Sequence, residues 1–132
     1  MSTLKVTNIQ DTAGGNSSTS EEIYSGRAKA WVNFDGTLVT NPGSATGIRA
    51  DYNVNSITDN GPGDYTVTFT TAFADANYTM TSSSANTTPT MSIAHPELTA
   101  TPFTASSATV ETRRTDNGAA LDCQFVCLSF FR

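Results

Sequence analysis

Charged side chains are scarce, making up 14% of the 132 residues, against about 25% in ordinary globular chains. Basic ones are the scarcer sign: seven Lys and Arg stand against twelve Asp and Glu, a formal net charge of −5. Phosphate backbones are held by clustered cations, so nucleic acid is excluded as a partner. The one adjacent basic pair, Arg113-Arg114, falls inside an expected strand. No run of 18 apolar residues is present, which leaves no helix to cross a membrane. Helix formers are sparse and no window shows a convincing apolar stripe at i, i+3, i+4 and i+7, so no amphipathic helix is expected. The first five residues carry no apolar stretch, and a chain without a secretory signal is expected. Without one, the N-x-S/T triplets at Asn16, Asn77 and Asn86 are chance matches in a Thr-rich sequence.

Chemistry-bearing residues are equally sparse. His95 is the sole histidine, so any Ser-His-Asp or Cys-His arrangement has to use it. It precedes Pro96 in a polar stretch, the setting of a surface or packing residue. Paired carboxylates that hydrolyse a glycan have candidates in Asp35, Asp51, Asp59, Asp64 and Asp75. Most of these adjoin Gly or Asn, where Asp serves turns by local hydrogen bonding. Asp59-Asn60-Gly61-Pro62-Gly63-Asp64 is rich in oxygen but lacks the spacing and terminal Glu of a calcium loop. No Gly-rich loop joins a strand to a helix, so nucleotide binding has no support. The sequence therefore assigns no catalytic residue, cofactor or metal, and an enzyme is not expected. Cys123 and Cys127 are the two cysteines. Within one strand they share a face about 13 Å apart at about 3.3 Å per residue, beyond the roughly 7 Å that a disulfide spans. They are expected reduced, packed beside Leu121 and Phe125.

What is abundant is Thr and Ser, 23 and 14 residues. Thr suits the solvent face of a strand and Ser punctuates loops. Residues 48–71 carry the clearest pattern. Ile48, Ala50, Tyr52 and Val54 alternate with polar residues, and Tyr65, Val67 and Phe69 alternate with Thr66, Thr68 and Thr70. The turn signal at residues 59–64 lies between, so these two arms predict an antiparallel hairpin. Ala28, Ala30, Val32 and Phe34 predict an earlier strand with one buried face. Residues 78–81 and 91–95 predict short strands, the latter stopped by Pro96, and residues 82–89 are unassigned. Residues 108–113 and 121–131, joined by a turn at 115–118, predict a second hairpin. Residues 4–9 read as strand-like and 11–18 as a flexible connector. The expectation is an all-β chain: an antiparallel β-sandwich or jelly-roll-like module at residues 26–132, preceded by an extended N-terminal leader at residues 1–25.

Trp31 lies opposite Ala30, Val32 and Phe34 on its strand. It stacks on a sugar, packs against a second subunit, or faces the inner side of a second sheet layer.

Four blocks carry a resemblance: STLKVTNIQ at residues 2–10, SGRAKAWVNFDGT at 25–37, YNVNSITDNGPGDYTVTF at 52–69 and AFADANY at 72–78. Together they resemble tail-fibre and related virion proteins of tailed phages, especially phages of marine bacteria and cyanobacteria. The similarity covers residues 2–78, and the last third matches only loosely. It implies a β-rich virion module assembled in the host cytoplasm, homotrimeric, joined to other virion proteins through its leader and contacting the host surface, with a surface glycan as a candidate partner. It implies no catalytic residues. Residues 38–46 form a longer loop than many relatives have, and the chain is short for a whole fibre. Both favour an alternative, a capsid decoration protein (a cement or head-fibre protein). An enzyme that degrades host glycan ranks third.

Overall fold

The computed structural model describes residues 2–87, 92–98 and 101–132. The chain opens with a small hairpin of β1 (Asn8–Gln10) and β2 (Ser17–Thr19). The stretch expected as a flexible connector is its turn. Asp11 organises that turn by accepting from the Gly15 N–H at 2.8 Å, while the Asp11 N–H donates to the Asn16 carbonyl at 3.0 Å. A helix follows where none was expected, α1 (Ser20–Gly26). Thr19 and Glu22 close a reciprocal capping box around its first turn, and Glu21 and Glu22 complement the positive helix end. The helix buries no residue, so it needs no apolar stripe and leaves none to read.

The body is a sandwich of two four-stranded antiparallel sheets. β3 (Ala30–Phe34), β4 (Ile48–Tyr52), β7 (Thr79–Ala85) and β10 (Phe125–Phe131) form the first, in the order β4-β3-β10-β7. β5 (Val54–Gly61), β6 (Asp64–Phe69), β8 (Ser92–Pro96) and β9 (Ser107–Arg114) form the second, ordered β5-β6-β9-β8. The all-β sandwich expected from the sequence is thus what the chain adopts. Period-two alternation sets the core: Ala30, Val32 and Phe34 with Val126, Leu128 and Phe130 from the first sheet, and Tyr65, Val67 and Phe69 with Val110 from the second, are its buried faces.

Two expected hairpins are divided differently. The alternation from Ile48 to Val54 is not one arm. Asn53 adopts a left-handed backbone (φ +57°), which Asn tolerates better than most residues. Its side chain holds the corner, donating to the carbonyls of Lys29 (3.1 Å) and Thr71 (3.0 Å) and accepting from the Thr71 N–H (2.7 Å). Residues before it pair with β3 and residues after it pair with β6. The true hairpin is β5–β6. Its turn shrinks to Pro62-Gly63, since Asp59, Asn60 and Gly61 lie within β5. Gly63 has φ +68°, the conformation that a Pro-Gly turn demands of its second residue. Likewise residues 121–131 are not one strand returning beside β9. The chain crosses to the other sheet, and β10 lies between β3 and β7.

The unassigned residues 82–85 complete β7. On this edge Ser82 Oγ donates to the Ala94 carbonyl (2.6 Å) and Ser84 Oγ to Ser92 Oγ (3.0 Å), linking β7 to β8 across the layers. Residues 88, 89 and 91, part of the stretches read above, lie outside the described residues. Pro96 ends β8 as its last paired residue, tolerated on an edge strand.

The long loop at residues 38–46 covers the free edge of β5. Thr40 bridges Thr58 and Ser44 bridges Ile57, with two Ser44–Ile57 main-chain hydrogen bonds of 3.0 and 3.1 Å. An uncovered edge invites pairing with a foreign strand, and this loop prevents it.

At the crossover, Asp122 Oδ1 accepts from the Gly63 N–H (2.6 Å) and from the hydroxyl of fully buried Tyr65 (2.8 Å). Thr112, the buried polar residue of the core, donates to the Leu121 carbonyl (2.5 Å). These bonds fasten the β5–β6 turn to the strand switch. At the opposite end Phe69, Phe73, Tyr78, Phe103 and Phe130 form an aromatic cluster with ring centroids 4.6–5.9 Å apart.

Candidate functional site: an aromatic sheet face

The two outer faces of the sandwich differ in chemistry. On the second sheet Glu111 lies between Asp64 and His95 in register, and Arg113 grips it through two bonds of 2.9 and 3.1 Å. Hydrogen bonding from Arg113 holds the Glu111 carboxyl below its ordinary value of 4.5. Thr66 faces Thr109 and Thr68 faces Ser107 along the same surface. Ile93, opposite Arg113 and half-exposed, sets one large apolar side chain on this otherwise polar face.

The first sheet presents the opposite. Register places Tyr52, Trp31, Ser129 and Thr81 in one row across its four strands. Ala50, Asn33, Cys127 and Ser83 form the next. Phe125 beside Ala85 continues it. These rows carry no charge. Trp31, Tyr52 and Phe125 are 39, 52 and 44% exposed, large rings left in water on one surface. The charged pair at its end, Arg49–Asp35 at 2.7 Å, is turned onto the apolar surface, with the Arg49 guanidinium 4.6 Å over the Phe125 ring. Small residues, Ala50, Ser83 and Ser129, lie among the rings.

Of the three settings considered for Trp31, the inner side of a second layer is the one the sheet order removes: Trp31 points away from the partner sheet. The sequence reading missed Tyr52 and Phe125. Tyr52 was placed with the core because its alternation continues in phase through the Asn53 corner. Phe125 was placed there with the cysteines, whereas Val126, Leu128 and Phe130 are the buried set. That V-x-L-x-F phase was legible and points Phe125 outward.

The cysteines do not share a strand face. Cys123 is fully buried before β10 begins, its Sγ 3.6 Å from the Leu121 carbonyl, and Cys127 is half-buried on the outer platform. Both are free thiols.

The other sequence candidates are held locally and apart. Asp35 binds Arg49 and the Thr37 hydroxyl (2.7 Å), Asp59 accepts from the Gly61 N–H (2.9 Å), and Asp64 accepts from Asn60 (3.2 Å). Asp75 pairs with Arg132, and Asp51 stands exposed on edge strand β4. His95 donates through Nδ1 to the Pro96 carbonyl (2.7 Å) and turns Nε2 toward Glu111 at 3.8 Å. Arg113 and Arg114 are absorbed in ion pairs with Glu111 and Asp116. Among the described residues no three His, Cys, Asp or Glu side chains gather as a metal-binding group.

No family model, curated protein or solved structure matches the chain.

Proposed function

We propose that this chain is a structural protein of a phage virion, a tail-fibre or tail-associated module that assembles with itself, as a trimer, and meets the host surface. The observation that carries the reading is the contrast between the two outer faces: one dominated by polar and ion-paired side chains, the other studded with Trp31, Tyr52 and Phe125, with one charged pair, Arg49–Asp35, at its end. Covering the exposed parts of Trp31 and Phe125, which stand on the two interior strands, stabilises an assembly by about 1 kcal/mol each, and Tyr52 on edge strand β4 stays at the open rim. Neighbouring small residues let a second surface approach closely. The four sequence blocks that resemble virion proteins supply the context, and the leader hairpin with its capped helix is the segment offered to other virion proteins.

The bridged loop over β5 favours a second reading, capsid decoration, in which the same platform rests on the head. Immunolabelling of virions separates the two: label on the tail supports the fibre role, label over the head supports decoration, and unlabelled particles sink both. Self-assembly has its own test in sedimentation equilibrium. The wild type is expected as a trimer at micromolar concentration and Trp31→Glu as a folded monomer, because a charge would be buried unpaired. A monomeric wild type refutes the self-assembly part.

A further inference from the structure

Three of the seven basic residues of this acidic chain line one cleft, at the seam between α1 and the end of the sandwich. The cleft has a volume of about 290 Å³, and its walls include Tyr24, Arg27, Lys29, Tyr52, Asn53 and Arg132. Its back is rigid: all three hydrogen bonds of the Asn53 amide go to main chain, and the Lys29 N–H is fixed to the Phe130 carbonyl at 2.8 Å.

Two cations there stand without an acid in contact. Arg132 is neutralised by Asp75, but among the described residues no carboxylate lies within ion-pair distance of Arg27 or Lys29. Lys29 Nζ sits 3.7 Å from the centroid of the Tyr24 ring and donates to the carbonyls of Tyr24 and Arg27. The Arg27 guanidinium lies 5.3 Å from the same ring. Desolvation, then the like charge of Arg27, lowers the Lys29 pKa, and these outweigh Glu21, which pulls the other way. Two crowded cations with spare donors gain most from an anion placed between them. The half-exposed ring of Tyr52 borders the same space and offers a flat apolar surface beside it, the Tyr24 ring being engaged by the two cations. An anion joined to a compact ring with an apolar face matches both features.

We infer that this cleft binds a sugar acid, a saccharide unit whose carboxylate lies between Arg27 and Lys29 and whose ring stacks on Tyr52. The site gives the host-contact reading above a ligand class, and for its biological meaning it rests on that reading.

Calorimetric titration of the full chain with trigalacturonic acid, neutral galactotriose and sodium sulfate tests it. The uronate is expected to bind saturably, and both neutral trimer and bare sulfate at least about tenfold more weakly. Arg27→Gln and Lys29→Gln are each expected to weaken the uronate about tenfold or more, and raised salt to weaken it further. Tyr52→Ala should weaken the uronate while leaving sulfate unchanged. Unchanged thermal midpoints show that the variants fold, and Arg27→Gln decides if the loss of two carbonyl contacts unfolds Lys29→Gln. Absence of uronate binding, equal binding of the neutral trimer or of sulfate, or unchanged affinity in both Gln variants overturns the inference. Any of these beside tail-labelled virions removes the ligand assignment alone and leaves the virion reading standing.

Discussion

Removing a single oxygen, in Tyr65→Phe, is the sharpest probe of how the two sheets are joined. The Tyr65 hydroxyl is buried and donates to Asp122 Oδ1 at 2.8 Å, while the Gly63 N–H reaches the same oxygen at 2.6 Å. Burial first, and then the Asp122 hydrogen bond, push the phenol far above its ordinary value, so it acts as a neutral donor. A hydrogen bond to a charged acceptor is worth a net 1.5–3 kcal/mol, so Tyr65→Phe should lower stability by about 2 kcal/mol. For a domain of this size that is a fall of roughly 8 °C in Tm. Asp122→Ala should cost about 3 kcal/mol, because it strands both the Gly63 N–H and the phenol without an acceptor. With the phenol already gone, Asp122→Ala strands only one donor. The double variant should therefore fall short of the sum of the singles by about 1–2 kcal/mol. Urea unfolding followed by circular dichroism at fixed protein concentration measures all four species, with unchanged m-values confirming comparable transitions. A Tyr65→Phe variant within about 0.5 kcal/mol of wild type, or strict additivity in the cycle, would refute the argument that this bond holds the crossover.

Two further predictions concern packing and pH. Gly36→Ala should destabilise severely or abolish folding, because its Cβ would lie 2.8 Å from Tyr65 Cζ and 2.9 Å from the Cys123 carbonyl, with main chain on one side unable to yield; a soluble variant of wild-type Tm would contradict this. Glu111, its pKa lowered by Arg113, contributes stability that is fully present above its ordinary value of 4.5 and is lost as pH falls through the lowered folded value. Glu111→Gln should therefore flatten the acid limb of Tm against pH below about 4.5, and an unaltered limb would show that the Glu111–Arg113 pair adds nothing.

The sandwich was legible wherever one strand face is buried along its length. Ala30-Val32-Phe34 and Tyr65-Val67-Phe69 alternate because water lies on one side and the core on the other. The same signal misled at Asn53. A one-residue left-handed corner passes the chain from sheet to sheet, yet the alternation from Ile48 to Val54 stays in phase across it. Periodicity reports which side is apolar, not which sheet the strand joins. Helix α1 was illegible to that signal for the opposite reason, since nothing on it is buried, although Thr19 and Glu22 spell out its cap. Of the candidate surfaces, Trp31 was singled out in the sequence. Tyr52 and Phe125 became visible only once the corner and the phase of β10 were placed. The basic cleft left no local signature beyond Arg27 and Lys29 preceding a strand, because Tyr52 and Arg132 reach it through tertiary folding.

The central position of β10 bears on how the protein is made. The last strand fits between β3, about a hundred residues earlier in the chain, and β7. Until residue 131 has left the ribosome, the first sheet lacks an interior strand. Val32 and Phe34 then have no neighbour on that side, and pairings over such long separations form slowly. Nascent chains must therefore wait, exposing the apolar edges of β3 and β7, and a chain cut short by even its final segment has no sheet to close. The first sheet is thus closed by a segment far along the chain: copies that reach it gain an interior strand, and copies that stop short of it leave the edges of β3 and β7 open to proteases.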